Sequence, residues 1–326
     1  MRLNCHSRPG RRLFSALLFA VLLVPAYAAT PPPKELLATG HADEAIQALE
    51  QQISHSPTDA ESYNLLCRAY FMIEEWDRGI PACERARNLD PEKSLYHLWL
   101  GRIYGEKADH VGAFSALGFA KKTRTSFERA VELDPKSWEA RSVLAEFYVG
   151  APAIVGGGKD KARAQADALM QFNPAMAHLV LALIAGKNKD SVEAEREYRA
   201  AIEASHSGAR AWFELALFLF RANRLDEMEQ AVRTMESSPV DRADALMDGA
   251  SVLLRTGRNY PLAARLLRRY LSSPVEEGPA FKAHDLLGKV LEKQGDRRAA
   301  AEEFRTALSL SHTYGHARED LKRVEH

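Results

Sequence analysis

The sequence predicts an all-α protein: a right-handed superhelical solenoid of antiparallel helix pairs, about seven to eight units long. Three observations predict it. Pro57 and Pro91 lie 34 residues apart and bracket two amphipathic segments. Within them Tyr63, Leu66, Cys67 and Tyr70, then Gly79, Cys83 and Ala86, keep the three-and-four spacing of a helix with one buried face. The same pattern returns to the end of the chain. A helical hairpin cannot bury its apolar face alone, so recurring hairpins must stack.

Taken in order, the chain opens with Arg2, Arg8, Arg11 and Arg12 ahead of a twelve-residue apolar run, Leu13 to Val24. Pro25 breaks the run, and Ala26-Tyr27-Ala28-Ala29 gives the small-x-small pattern read by a signal peptidase. Spanning a bilayer takes about 20 apolar residues. The expectation is therefore an export signal over residues 1–28, cleaved after Ala28 or Ala29, with no stable membrane anchor left behind. Basic and acidic residues balance at 44 each, and the leader holds only basic ones, so the remaining chain is mildly acidic. Nothing in that balance suggests a nucleic-acid partner.

Residues 29–35, with Pro31-Pro32-Pro33, read as a stiff linker, and the solenoid is expected over 36–326. Leu36 to Pro57 supplies the second half of a unit, with a turn at Gly40 and apolar positions at Ala45 and Leu49. Two later units are stretched: Pro91 to Pro135 spans 44 residues and Pro135 to Pro174 spans 39. Both surpluses, near 105–122 and 150–160, fall between the first and second helix of their unit, so they emerge on one edge in adjacent units. The first is expected to lengthen both helices by about five residues each, projecting the hairpin roughly 7 Å at 1.5 Å per residue. Gly112 or Gly118 would then lie near its tip. The second, Ala151 to Gly158, is too rich in Pro and Gly for helix and reads as a loop. The polar segment Ala317 to Val324 suits a capping helix.

A 34-residue helix–turn–helix with small residues at the crossings resembles the tetratricopeptide repeat. The resemblance is carried by Trp212, Leu215 and Ala216 in one unit and by Leu287, Gly288, Gly295, Ala300, Phe304 and Ala307 in another. Tyr198 with Ala201, and Leu246, Gly257, Ala263 and Leu267, extend it. His206 and His312 stand where Pro is expected, and Met228 where Ala is. The resemblance implies a scaffold that binds a protein or peptide along the first helices, which line the concave face of such arrays. The family's concave positions fall on Asn64, Arg68, Arg102, Glu106 and Glu146.

Catalytic chemistry is not evident. Gly156-Gly157-Gly158-Lys159 lacks the preceding strand and the following Ser or Thr of a phosphate loop. The eleven His residues form no metal motif; Glu106 and His110, four apart, are the nearest approach to one, and a structural zinc wants four ligands. The expectation is a non-enzyme without cofactors. The sharper signal is the apolar edge, where Val111, Phe114, Leu117 and Phe119 sit in the lengthened hairpin beside Ile154 and Val155. Either the loop and hairpin fold into a satellite core, or part of the surface stays open to a partner. Cys67 and Cys83 fall at equal height on paired helices, which allows a disulfide if the chain is exported, or else two buried thiols. The expected function is an exported, periplasmic or secreted interaction scaffold or assembly adaptor. The alternative is a regulatory or substrate-presenting subunit of a cell-envelope enzyme.

Overall fold

The computed structural model describes residues 31–241, 244–273 and 279–326, and the expected export signal at 1–28 lies outside them. The described residues form seventeen α-helices, one 3-10 turn and no strand. They pair in order: α1 (Pro33–Ala38) with α2 (Ala42–His55), α3 (Ala60–Met72) with α4 (Trp76–Leu89), and α5 (Ser94–Asp109) with α6 (Ala113–Leu133). Then come α7 (Trp138–Gly150) with α8 (Lys159–Leu169), α9 (Pro174–Lys187) with α10 (Ser191–Ala204), and α11 (Ala209–Arg221) with α12 (Leu225–Met235). α13 (Asp244–Thr256) pairs with α14 (Tyr260–Ser272) and α15 (Ala280–Lys293) with α16 (Arg297–Leu310), and α17 (Gly315–Glu325) closes the array. The 3-10 turn η1 (Ala153–Val155) lies between α7 and α8. No described helix is long and apolar enough to cross a membrane.

One backbone device makes most of the hairpins. Gly40, Glu74, Lys189, Asn223, Gly257 and Gly295 follow the first helix of their units and all have left-handed φ, between 57° and 89°. A single such residue reverses the chain within about one turn, and glycine takes it without the Cβ clash other residues must absorb. The α5–α6 and α7–α8 units use no left-handed residue at that point except Gly156. They are the two that carry the surplus length. Helix starts are fixed by side-chain caps where the sequence offers them: Asp59, Ser137, Asn173, Asp190, Asn259 and Asp296 each accept a backbone N–H from the first turn.

The lengthening is not shared equally between the two helices of the stretched hairpin. α5 has 16 residues and α6 has 21. The other second helices reach at most 14, so α6 overhangs by about seven residues, roughly 10 Å. Gly112 caps its start, and Gly118 lies within the helix rather than at a tip. The reason is local sequence: Ala113 to Ala120 contains good helix formers and no Pro.

Small residues set how closely the helices cross. Ala69, Ala86, Ala130, Ala201, Ala216, Ala263 and Ala300 are fully buried. A Cβ on Gly101 would lie 2.4 Å from the Phe127 ring, and one on Gly288 would lie 2.5 Å from the Phe304 ring. Successive units are also tied by a polar bond that the apolar pattern does not announce. Tyr70 donates its hydroxyl to Glu50 (2.7 Å), Tyr104 to Glu84, and Tyr148 to Glu128 (2.8 Å), each across 20 residues.

The array curls until its ends meet. Leu36, Leu37, Leu49 and Trp99 share one apolar cluster with Ala280, Phe281, Leu310 and Ala317. Gly40 abuts Ala280, where an added Cβ would sit 2.5 Å from the alanine's own. Lys282 pairs with Glu74 at 2.5 Å, and Asp43 accepts from the backbone N–H of His312 at 2.6 Å. A cavity of about 250 Å³ remains between Ile73–Glu74 and the α16–α17 turn.

Candidate functional site

Two surfaces carry the residues singled out by sequence. The first is the face of the first helices. Here the array is closed in the α3 unit and opens in the next two. Asn64 and Arg68 are buried, Arg102 and Glu106 are half-buried, and Glu146 is exposed. The closed end has a specific construction. Two guanidinium groups lie over the Trp99 ring, Arg68 at 5.1 Å and Arg102 at 4.6 Å from its centroid, with Phe71 edge-on at 5.5 Å. Arg68 and Arg102 occupy the same position in successive repeats, so the 34-residue period itself brings two cations to the one indole. Glu106 is held above the ordinary carboxylate range, first by burial and then by neighbouring Asp109. His110, four residues on, turns its Nδ1 to the Glu106 carbonyl oxygen (2.8 Å) and stacks on Trp76 at 4.1 Å.

Further along, Arg210 of α11 reaches back across one unit to α7. Its guanidinium lies 3.7 Å from the Glu146 carboxylate and 5.9 Å from the Trp138 ring. Trp138, in the first turn of α7, is 38% exposed. Trp99, Trp138 and Arg210 were not among the sequence candidates. The available signal for Trp138 was a large aromatic at the very start of a repeat helix; Trp99 and Arg210 carried none beyond their place in the repeat.

The second surface is the edge at 105–160. Val111 is half-buried, and Phe119 packs against Tyr104, ring centroids 5.9 Å apart. Phe114, by contrast, is 96% exposed and Leu117 is exposed beside it. η1 folds onto α6, where Arg124 donates to the Val155 carbonyl at 3.1 Å. This buries Val155 and leaves Ile154 in solvent. The edge is thus a small local core at its root and an open apolar tip.

Cys67 and Cys83, both fully buried, are joined as a disulfide between α3 and α4, with Cα atoms 5.1 Å apart. The link braces the unit that also forms one side of the closure between the array's ends.

Models of the tetratricopeptide repeat match residues 36–103, 179–241 and 281–314. Both insertions fall in the unmatched stretch between the first two. No curated protein matches the chain. Among solved structures, the chain is similar to yeast Tom70, at 15% identity and a TM-score of 0.51, over 93% of this chain and 66% of that one. It is similar also to a thermophilic TPR protein of Thermus thermophilus, at 17% identity and a TM-score of 0.48, over 58% of this chain and 95% of that one. A third is a tetratricopeptide repeat protein from Parabacteroides merdae, at 15% identity and a TM-score of 0.44, over 90% of this chain and 99% of that one. The likeness to the yeast protein is one of fold alone.

Proposed function

We propose that this chain, which belongs to the tetratricopeptide-repeat family, is an exported, non-enzymatic scaffold or assembly adaptor that holds a protein partner on the face of its first helices. Proteins built from this repeat generally mediate protein–protein interaction. The observation that carries the reading for this chain is Trp138. A tryptophan 38% exposed, beside the Arg210–Glu146 pair and one unit from the Trp99–Arg102 stack, has the composition of an interface anchor. Binding energy concentrates in Trp, Tyr and Arg that a partner can desolvate. Arg102 and Glu106, half-buried on the adjoining helix, extend the surface with charge of both signs.

Export to the periplasm or outside the cell is supported by the Arg-rich leader with its twelve-residue apolar run. The Cys67–Cys83 disulfide supports it too, since such bonds persist in oxidising compartments.

The test is affinity capture from the native envelope with the parent chain and with Trp138→Ala, followed by titration of the captured partner. An anchor of this kind is worth about 2 kcal/mol or more on truncation, so binding should weaken at least tenfold while the melting temperature stays put. Undiminished binding by Trp138→Ala combined with Glu146→Lys would remove the face from the reading.

A further inference from the structure

The edge that carries both insertions combines exposed apolar side chains with a local excess of basic ones. Phe114 stands 96% exposed in the first turn of α6, and Leu117 follows one turn on. A Cβ on Gly112 or Gly118, to either side, would meet nothing within 4 Å, so the tip stands clear of the body. Ile154 of η1, which packs on the same helix, is 73% exposed. Charge around the two insertions leans basic, with the exposed Asp109 at the end of α5 as an exception. His110 to Arg124 contains Lys121, Lys122 and Arg124 and no acidic residue. Ala151 to Arg163 contains Lys159, Lys161 and Arg163 against Asp160 alone. The four lysines are exposed, in a chain whose basic and acidic residues balance overall.

Shape and area decide what fits such a surface. A specific protein interface buries about 800 Å² on each partner, and its anchors fill pockets. Phe114, Leu117 and Ile154 are few for such an area, and none of them lines either of the described pockets. An anionic membrane surface requires neither. Apolar side chains enter the boundary between headgroups and acyl chains, and nearby lysines gain from the negative surface potential.

We propose that the α6 tip and η1 form a wedge that docks the scaffold on an anionic lipid surface. Phe114, Leu117 and Ile154 enter the interface, and the lysines behind them meet the headgroups. Docking by this edge leaves the Trp138 face of the first helices available to a protein, so the two surfaces act independently.

The experiment places the reporter at the tip itself. The full chain carrying Phe114→Trp is mixed with vesicles of phosphatidylglycerol and phosphatidylcholine whose acyl chains are brominated. Residue 114 reads its own surroundings, so lipid contact elsewhere in the chain does not contribute to the added signal. The expected result is quenching of the added tryptophan fluorescence, with binding at least tenfold weaker on pure phosphatidylcholine. Lys121→Glu with Lys122→Glu should cost a similar factor on the anionic vesicles. No quenching on anionic vesicles overturns the proposal, as does equal binding to both compositions. Capture of a purified protein partner that requires Phe114, without lipid quenching, would assign the tip to protein instead.

Discussion

Replacing Gly101 by alanine sets two effects of known size against each other. Alanine in a helix interior gains about 1 kcal/mol over glycine. At Gly101, however, the new Cβ would lie 2.4 Å from both Cδ1 and Cε1 of Phe127 and 3.2 Å from its Cγ. The obstacle is the body of a buried ring, which cannot pivot away as the end of a flexible chain would. Overpacking of this kind costs about 1–3 kcal/mol, so after the propensity gain Gly101→Ala should destabilise by up to about 2 kcal/mol. Gly105, one turn on in the same helix, is the internal control. Its Cβ would meet only Thr123 at 3.7 Å, an ordinary contact. Gly105→Ala should therefore stabilise by up to about 1 kcal/mol. Thermal melts followed by circular dichroism separate the two, at roughly 2 °C per kcal/mol for a domain of this class. Shifts of the same sign would refute the packing argument. Because α5 also carries Trp99 and Arg102, displacement of that helix by Gly101→Ala should weaken partner capture as well.

Two further outcomes follow from buried groups. His97, packed in α5 with its Nε2 2.8 Å from the Pro91 carbonyl oxygen, is held below its ordinary 6.5, first by burial and also by Arg87 and Arg129. The folded state thus binds its proton more weakly than the unfolded state, and stability should fall as pH drops through 6.5. His97→Gln, which can still donate to that carbonyl, should flatten the decline in melting temperature between pH 7 and 5; an unchanged slope would exclude His97 as its source. The Cys67–Cys83 link closes a loop with a sequence separation of 16, worth about 3 kcal/mol in the chain-entropy model. Reduction should lower the melting temperature by several degrees, and two free thiols at these positions in denatured, unreduced protein would contradict the bond.

The hairpin order was legible because the repeat writes itself into the sequence at each crossing. Gly101 and Gly288 stand where Phe127 and Phe304 need room, and the small residues of the pattern are the buried ones. Three of the turn residues, Gly40, Gly257 and Gly295, announce themselves. Glu74, Lys189 and Asn223 take the same left-handed conformation without a glycine, because position in the repeat overrides local preference there. The location of the stretched units was also legible, from proline spacing alone. Its division between α5 and α6 was not, since spacing counts residues without saying which helix holds them. Least legible was the closure. Lys282 with Glu74 and His312 with Asp43 join residues 208 and 269 apart. Whether such ends meet depends on small rotations between neighbouring units accumulated along the array. Arg68, which the repeat pattern alone would leave on an open face, is buried with its guanidinium over the Trp99 ring of the next unit.

A projecting tip can act as a wedge only if its root does not yield, and the polar bonds of the array are placed to hold it. Tyr104 anchors α5 to Glu84 on α4, and Tyr148 anchors α7 to Glu128 on α6, so the long hairpin is tied on both sides near its base. Arg124 adds a third tie, from α6 to the η1 carbonyl. Burial raises the Tyr104 and Tyr148 hydroxyls well above their ordinary range, and the carboxylates raise them further, so both remain protonated donors throughout physiological pH. Behind them the disulfide fixes α3 to α4. Along α6 from Phe119 back to its start the packing thins: Leu117 is exposed and Phe114 has solvent on nearly all sides. Rigidity at the base and exposure at the end are both departures from the bare repeat, and they coincide in residues 104–178, a stretch that no family model matches.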